Sequence, residues 1–199
     1  MQVRKDTTIR RKEIITAARK LIVKNGSESV TVRRVAKEIG VSEGAIYRHF
    51  KSKKEIYLLL IEDIEETLIQ DIEKNDTGNV NSLEVLQRIV MEQISSIEQR
   101  KGVIFLAIAE IISLGDKDLN RKVSKVLNNY LERLNKILAN GVDSGFVRRD
   151  INLDAAGKML FGMTQGLVNL WALNQYSFKL EKEFQPLWEI FLKSVMNEK

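Results

Sequence analysis

Residues 35–50 read VAKEIGVSEGAIYRHF, and this stretch decides the fold. Gly40 separates two short segments with apolar residues at helical spacing. Val32, Val35, Ala36 and Ile39 lie before it, and Val41 and Ile46 after it. The pattern predicts a helix, a turn in which glycine takes positive φ, and a second helix running to about His49. Thr31 and Ser42 stand where the N-caps of these helices belong. Ala36 is small where the two helices must approach closely. Upstream, Ile14, Ala17, Ala18, Leu21 and Ile22 mark a bracing helix stopped by Asn25-Gly26. Three helices so arranged make a helix-turn-helix, which presents the first turn of its last helix to DNA.

The rest of the chain continues in helices. Ser52 and Glu55 form an S-x-x-E capping box ahead of Ile56, Leu59, Leu60, Ile64, Leu68 and Ile72. A turn cluster at 76–79 follows, and then helices over about 82–99 and 103–114. The second of these is apolar on nearly every side and is expected to be buried. Asp116 or Asp118 opens a further helix to about Gly141, and two more cover about 153–174 and 181–197. No region alternates as a sheet would. The expectation is an all-α chain of about nine helices. Residues 1–52 would form a helix-turn-helix DNA-binding domain, and 53–199 a larger regulatory bundle for ligand binding and dimerisation.

Charge divides the chain the same way. Residues 1–56 hold 15 Lys and Arg against 6 Asp and Glu, whereas the remainder holds 17 against 21. A basic front suits a polyanion, and a mildly acidic rear suits a different task. The 199 residues include no cysteine, which removes disulfides and thiolate metal sites and is compatible with a reducing cytoplasm. No apolar run reaches the ~18–20 residues of a membrane span, and the first residues lack the form of a signal peptide. A single histidine, His49, makes metal or catalytic service there a poor reading. No acid pair, nucleophile–base set or phosphate-binding glycine loop stands out. Neither catalysis nor a cofactor is therefore expected.

The stretch at 31–57, TVRRVAKEIGVSEGAIYRHFKSKKEIY, resembles the DNA-binding signature of the TetR family of transcription regulators. The likeness spans the helix-turn-helix, the Y-x-H-F end of the recognition helix and the K-x-K start of the next. IITAARKLIVKNG upstream is similar to that family's first helix, so the specific resemblance covers about residues 9–60. Beyond it, helix number and length and the stretch GFVRRDINLDAA resemble the family's regulatory domain only in outline.

Position and chemistry together assign roles in DNA binding. Arg33 would contact guanine or phosphate, and Glu43, Gly44 and Ala45 would sit at base edges. Glu43 could read cytosine directly or act by holding a neighbouring arginine. Tyr47, Arg48 and His49 offer donors to phosphate, and Thr31 and Lys53 would clamp the same strand. Arg4 and Lys5 could reach a minor groove. Two such heads, about one helical turn (~34–36 Å) apart on a palindromic operator, would require a homodimer.

The dimer surface is expected on the last two helices. Small residues Ala155, Gly162 and Gly166 lie on one, and the stripe Phe184, Leu187, Trp188, Phe191, Leu192 and Val195 on the other. The resemblance implies a four-helix bundle with their mates. It also implies a ligand cavity, for which Phe105, Ile108, Ile112, Leu134, Met159, Met163, Leu167 and Trp171 are the apolar candidates. Glu110, Tyr130, Gln165 and Asn169 are the polar ones, and this lining suits a hydrophobic or amphipathic effector. An effector-independent, nucleoid-associated DNA-binding protein is the alternative, and a helical ligand binder without DNA binding a more distant one.

Overall fold

The computed structural model describes residues 7–25, 30–75 and 81–197. The expected stop at Gly26, the turn at 76–79, and Arg4 and Lys5 lie outside the described residues. Nine helices cover the described chain: α1 (Thr7–Asn25), α2 (Val32–Glu38), α3 (Glu43–Tyr47), α4 (Lys53–Asn75), α5 (Ser82–Gln99), α6 (Val103–Ser113), α7 (Lys117–Asp143), α8 (Leu153–Leu173) and α9 (Leu180–Val195). The one β feature among these residues is an isolated antiparallel bridge between Val147 and Met196. No described helix is long and apolar enough to cross a membrane.

The helices pack as two compact units. One contains the described residues up to 65 together with 103–124; the other contains 66–102 and the residues from 125 onward. The boundaries of these units do not coincide with the division expected at 52/53. Packing groups the first turns of α4, all of α6 and the start of α7 with α1–α3.

In the first unit, Ile14, Ala18, Val35, Ala36, Ile46, Phe50, Ile56 and Leu60 close over one another with almost no exposure. Each large apolar side chain so buried contributes about 1.5–3 kcal/mol before entropy is counted. The turn between α2 and α3 is a Schellman motif. Gly40 (φ +72) donates its N–H to the Lys37 carbonyl at 3.3 Å, and Val41 donates to Ala36 at 2.9 Å. Thr31 Oγ accepts from the Arg34 N–H, and Ser42 Oγ from the Ala45 N–H, both at 3.2 Å. Both expected caps are therefore made. α3 ends at Tyr47, not His49, because His49 and Phe50 both donate back to the Ile46 carbonyl in a turn. At the start of α4, Glu55 accepts from the Lys51 N–H at 2.8 Å, one residue outside the N-cap that a capping box would engage.

α6 is less enclosed than its composition suggests. Val103, Ile104, Phe105, Ala107, Ile108 and Ile111 are buried, but Ile112 and Leu114 stay exposed.

In the second unit, α9 packs on α5 and α8. Its core holds Leu86, Ile89, Ile94, Phe184, Trp188 and Phe191, with Trp188 stacked on Phe191 at 5.4 Å. The connection from α7 to α8 is pinned to the end of α9. Arg148 donates its N–H to the Val195 carbonyl, and Asn197 to that of Phe146, each at 3.0 Å. This drives Val147 fully inside, where a Cβ on Gly141 would lie only 2.5 Å from a Val147 methyl. Asn152 then caps α8 through the Ala155 N–H. α9 has no side-chain cap of its own at Lys179. Glu98, 82 residues earlier on α5, supplies it by accepting from the Leu180 N–H at 3.0 Å.

Candidate nucleic-acid interface and regulatory interior

Three elements, α2, α3 and the start of α4, present the residues expected to meet DNA. The Arg33 side chain is 86% exposed, and its ion-pair partner among the described residues is Glu43, with Nε–Oε1 at 4.0 Å. This places Glu43 beside the arginine it could orient. The other two residues of the tip, Gly44 and Ala45, carry no polar side chain. Tyr47 is half exposed, Arg48 open and His49 partly open, and none of the three has a side-chain partner among the described residues. Lys53 Nζ sits 5.4 Å over the Tyr57 ring, which holds the ammonium without neutralising it. Thr31 spends a lone pair on its cap and keeps a hydroxyl proton to donate.

Several carboxylates of this unit are paired with cations away from that surface. Glu38 is paired with Lys20, whose hydrogen bond holds its carboxyl below the usual range. Asp63 is paired with Arg19, and Glu13 with Arg10. The basic side chains of α2 and of the α3–α4 junction are thus left with a net positive field.

Lys54, in the same KSKK run as Lys53, has a different task. Its Nζ donates to Asp116 and Asp118, both at 3.0 Å. Asp116 also accepts from the Asp118 and Leu119 N–H groups at 2.9 and 3.1 Å and so caps α7. The hydrogen bonds to Asp116 and then Asp118 raise the Lys54 pKa. The Lys54 bond, and then the Leu119 N–H, hold Asp116 below its usual value. A depressed carboxyl stabilises above its unfolded pKa of ~3.9, and that stability is lost as pH falls through the folded value. The raised lysine stabilises below its unfolded pKa of ~10.4 and loses this as pH rises through the folded value. Asp116→Asn keeps the cap geometry but removes the charge. It is expected to lower the melting temperature at pH 7, and the gap from the parent should close below about pH 4. Circular dichroism melts across that range check it.

Deeper in the same unit, Tyr57 is buried and donates to Glu110 at 3.4 Å. Burial first, and the Glu110 charge second, push its phenol up. Glu110 is therefore occupied by Tyr57. Of the other cavity candidates in this unit, Phe105 and Ile108 are buried, whereas Ile112 is 57% exposed.

The second unit divides its candidates too. Tyr130, Leu134, Leu167 and Trp171 are inside, and the Trp171 indole donates to the Phe178 carbonyl at 2.8 Å. Met163 is half-buried. Met159 and Asn169 are exposed, and Gln165 donates to Asn169 at 3.0 Å along the outer face of α8. Met159, Gln165 and Asn169 therefore do not line the interior of this unit. They share a face with Gly162 and Gly166 because all lie within the same helical stripe.

The α9 stripe needs a matching correction. Phe184, Trp188, Phe191 and Val195 are covered within the protomer, and Leu187 and Leu192 half-covered. The apolar side chains left open on α8 and α9 are Met159, Leu170, Leu173 and Ile190, beside the exposed Ala155, Gly162 and Gly166. A surface groove between α5 and α9, lined by Ser95, Glu98, Gln99, Lys179, Gln185 and Pro186, is open to solvent and contains none of the expected cavity residues.

Residues 14–60 match the model of the bacterial regulatory proteins of the TetR family, and residues 57–194 match that of the YsiA-like protein C-terminal region. The chain belongs to the TetR family. This TetR-family regulator is 25% identical to the fatty acid metabolism regulator protein of Bacillus subtilis over 94% of its own length and 95% of the relative's. The nucleoid occlusion factor SlmA of a Marinomonas species is 23% identical over 94% and 95%. The crystal structure of the transcriptional regulator FadR from Bacillus subtilis in complex with stearoyl-CoA superposes with a TM-score of 0.79. That similarity covers 91% of this chain and 97% of the other, at 25% identity.

Three features of the regulator were not legible from spacing: the Lys54–Asp116–Asp118 cluster, the Glu98 cap on α9, and a buried glutamine, Gln93. Each joins residues at least 37 positions apart, so no local pattern signals them.

Proposed function

We propose that the chain is a cytoplasmic, homodimeric repressor that holds a palindromic operator and releases it when a long-chain acyl effector binds among its C-terminal helices. Arg33 and the α3 tip would read bases, while Thr31, Tyr47, Arg48, His49 and Lys53 would grip phosphate. The observation that carries the DNA half is the set of exposed cations and donors on α2, α3 and the α3–α4 junction, of which Arg33 stands beside Glu43 while Arg48, His49 and Lys53 have no carboxylate partner among the described residues. The effector half is supported by the C-terminal match at 57–194 and by relatives named for fatty acid metabolism or solved with stearoyl-CoA. The apolar interior of the second unit suits such a chain. The dimer would form through the open face of α8 and α9. α4, which begins at Lys53 and ends in the second unit, is the element through which effector binding would reach the heads. An effector acts only through its different affinity for the two arrangements. No catalytic step is ascribed to the protein.

The test is a gel-shift titration on an operator selected from a random duplex pool. Stearoyl-CoA is expected to release the duplex. Specific binding that no acyl thioester affects would replace the repressor reading with the effector-independent one, which the nucleoid occlusion relatives favour. Absence of specific binding at physiological salt would remove both.

A further inference from the structure

Among the described residues the buried polar side chains are three: Ser82, Gln93 and Thr164. Ser82 opens α5, and Thr164 returns its hydroxyl to the Leu160 carbonyl at 2.9 Å. Gln93, in the middle of α5, is different. It is 6% exposed, with Ile89, Val90, Ile94 and Ile97 buried around it on the same helix. Its Oε1 accepts the Tyr130 hydroxyl of α7 at 2.7 Å, but its Nε2 has no partner among the described residues. An interior N–H without an acceptor gives up its bonds to water and receives nothing back. Leucine or methionine would remove this unpaired donor, though either would also take the acceptor from Tyr130.

The amide is also oriented. Tyr130 is buried and meets Phe161 of α8 edge-on at 6.3 Å. With that hydroxyl on Oε1, the two N–H bonds are the end left to donate. Two other buried atoms of this unit are unpaired, Asn135 Oδ1 and Trp188 Nε1. The indole N–H is carried inside by a large ring stacked on Phe191, and Asn135 lies against the bare Cα side of Gly157. Neither is a pre-aimed double donor.

Building on the acyl-effector reading above, we propose that Gln93 recognises the effector by donating its amide N–H to a carbonyl oxygen at the junction of hydrocarbon and head group. Because no Lys or Arg is buried among the described residues, a carboxylate at this depth would lack a counterion. The ligand class is thus a neutral thioester, ester or amide in preference to a free fatty acid.

Isothermal titration with stearoyl-CoA and with its S-octadecyl thioether, in which a methylene replaces the carbonyl, tests this on the full-length protein. The parent should bind the thioester about tenfold more tightly than the thioether. Gln93→Leu should bind both alike, at the parent's thioether affinity. Tyr130→Phe keeps the ring but frees the amide to rotate, and should reduce the discrimination without abolishing it. A parent that binds stearoyl-CoA without discriminating, or a Gln93→Leu protein that still discriminates, overturns the assignment of Gln93 and leaves the acyl reading intact. Should Gln93→Leu fail to fold, undiminished discrimination by Tyr130→Phe overturns it equally. A parent that binds neither probe overturns the acyl reading and the proposal together.

Discussion

Arg33→Ala is expected to lower affinity for the selected operator by about 1–3 kcal/mol, roughly five- to a hundred-fold, while binding to unrelated duplex hardly changes. The reason lies in the poverty of the recognition helix. α3 spans Glu43–Tyr47, and its first turn offers one carboxylate, one glycine and one alanine. Arg33 on α2 is open and stands 4.0 Å from Glu43, so it carries most of the side-chain reading capacity near that tip. Glu43→Gln removes the charge beside the guanidinium and should relax preference at the same base position. Lys53→Ala and Arg48→Ala should behave differently. Each is expected to weaken binding to every duplex and to lower the slope of log K against log salt by about 0.9. Site selection with each variant, and titrations at two salt concentrations, separate the patterns. Equal loss on specific and unrelated duplex for Arg33→Ala would move that residue into the phosphate grip.

Trp188→Ala is expected to cost about 3–5 kcal/mol of protomer stability, and Leu173→Lys or Ile190→Lys very little. Trp188 is 1% exposed and packed on Phe191, so truncation leaves a cavity inside one chain. Leu173 and Ile190 are 79% and 67% exposed, so a lysine there meets solvent in the isolated protomer. If the open face of α8 and α9 is the dimer surface, the two lysine variants should sediment as monomers yet keep their helical signal. Trp188→Ala should instead lower the urea midpoint at every protein concentration. A Trp188→Ala protein that dissociates but unfolds at the parent's midpoint would return the stripe to the partner surface.

Much of this was legible because it is local. Thr31, Ser42 and Asp116 cap helices through N–H groups two or three residues away. Gly40 turns the chain through bonds that close within five residues. Helical period and the burial of Ile46 behind the turn follow from the same short range, whereas Val41 stays half-buried. α3 proved shorter than its pattern because the Ile46 carbonyl takes two N–H groups in a turn. The regulatory half was less legible. An apolar residue on α6, α8 or α9 has the same period whether it faces its own core or open space.

The sequence by itself therefore determined the helices, the local caps at Thr31, Ser42 and Asp116, the helix-turn-helix and the basic front, since these rest on neighbours in the chain and on composition. Tertiary structure decided the rest. It drew Trp188 inward and left Leu173 out, tied Lys54 to Asp116 and Asp118, and brought Tyr130 to one end of Gln93 and nothing to the other. Burial and long-range pairing depend on which distant surface arrives, and that is settled only when the helices pack.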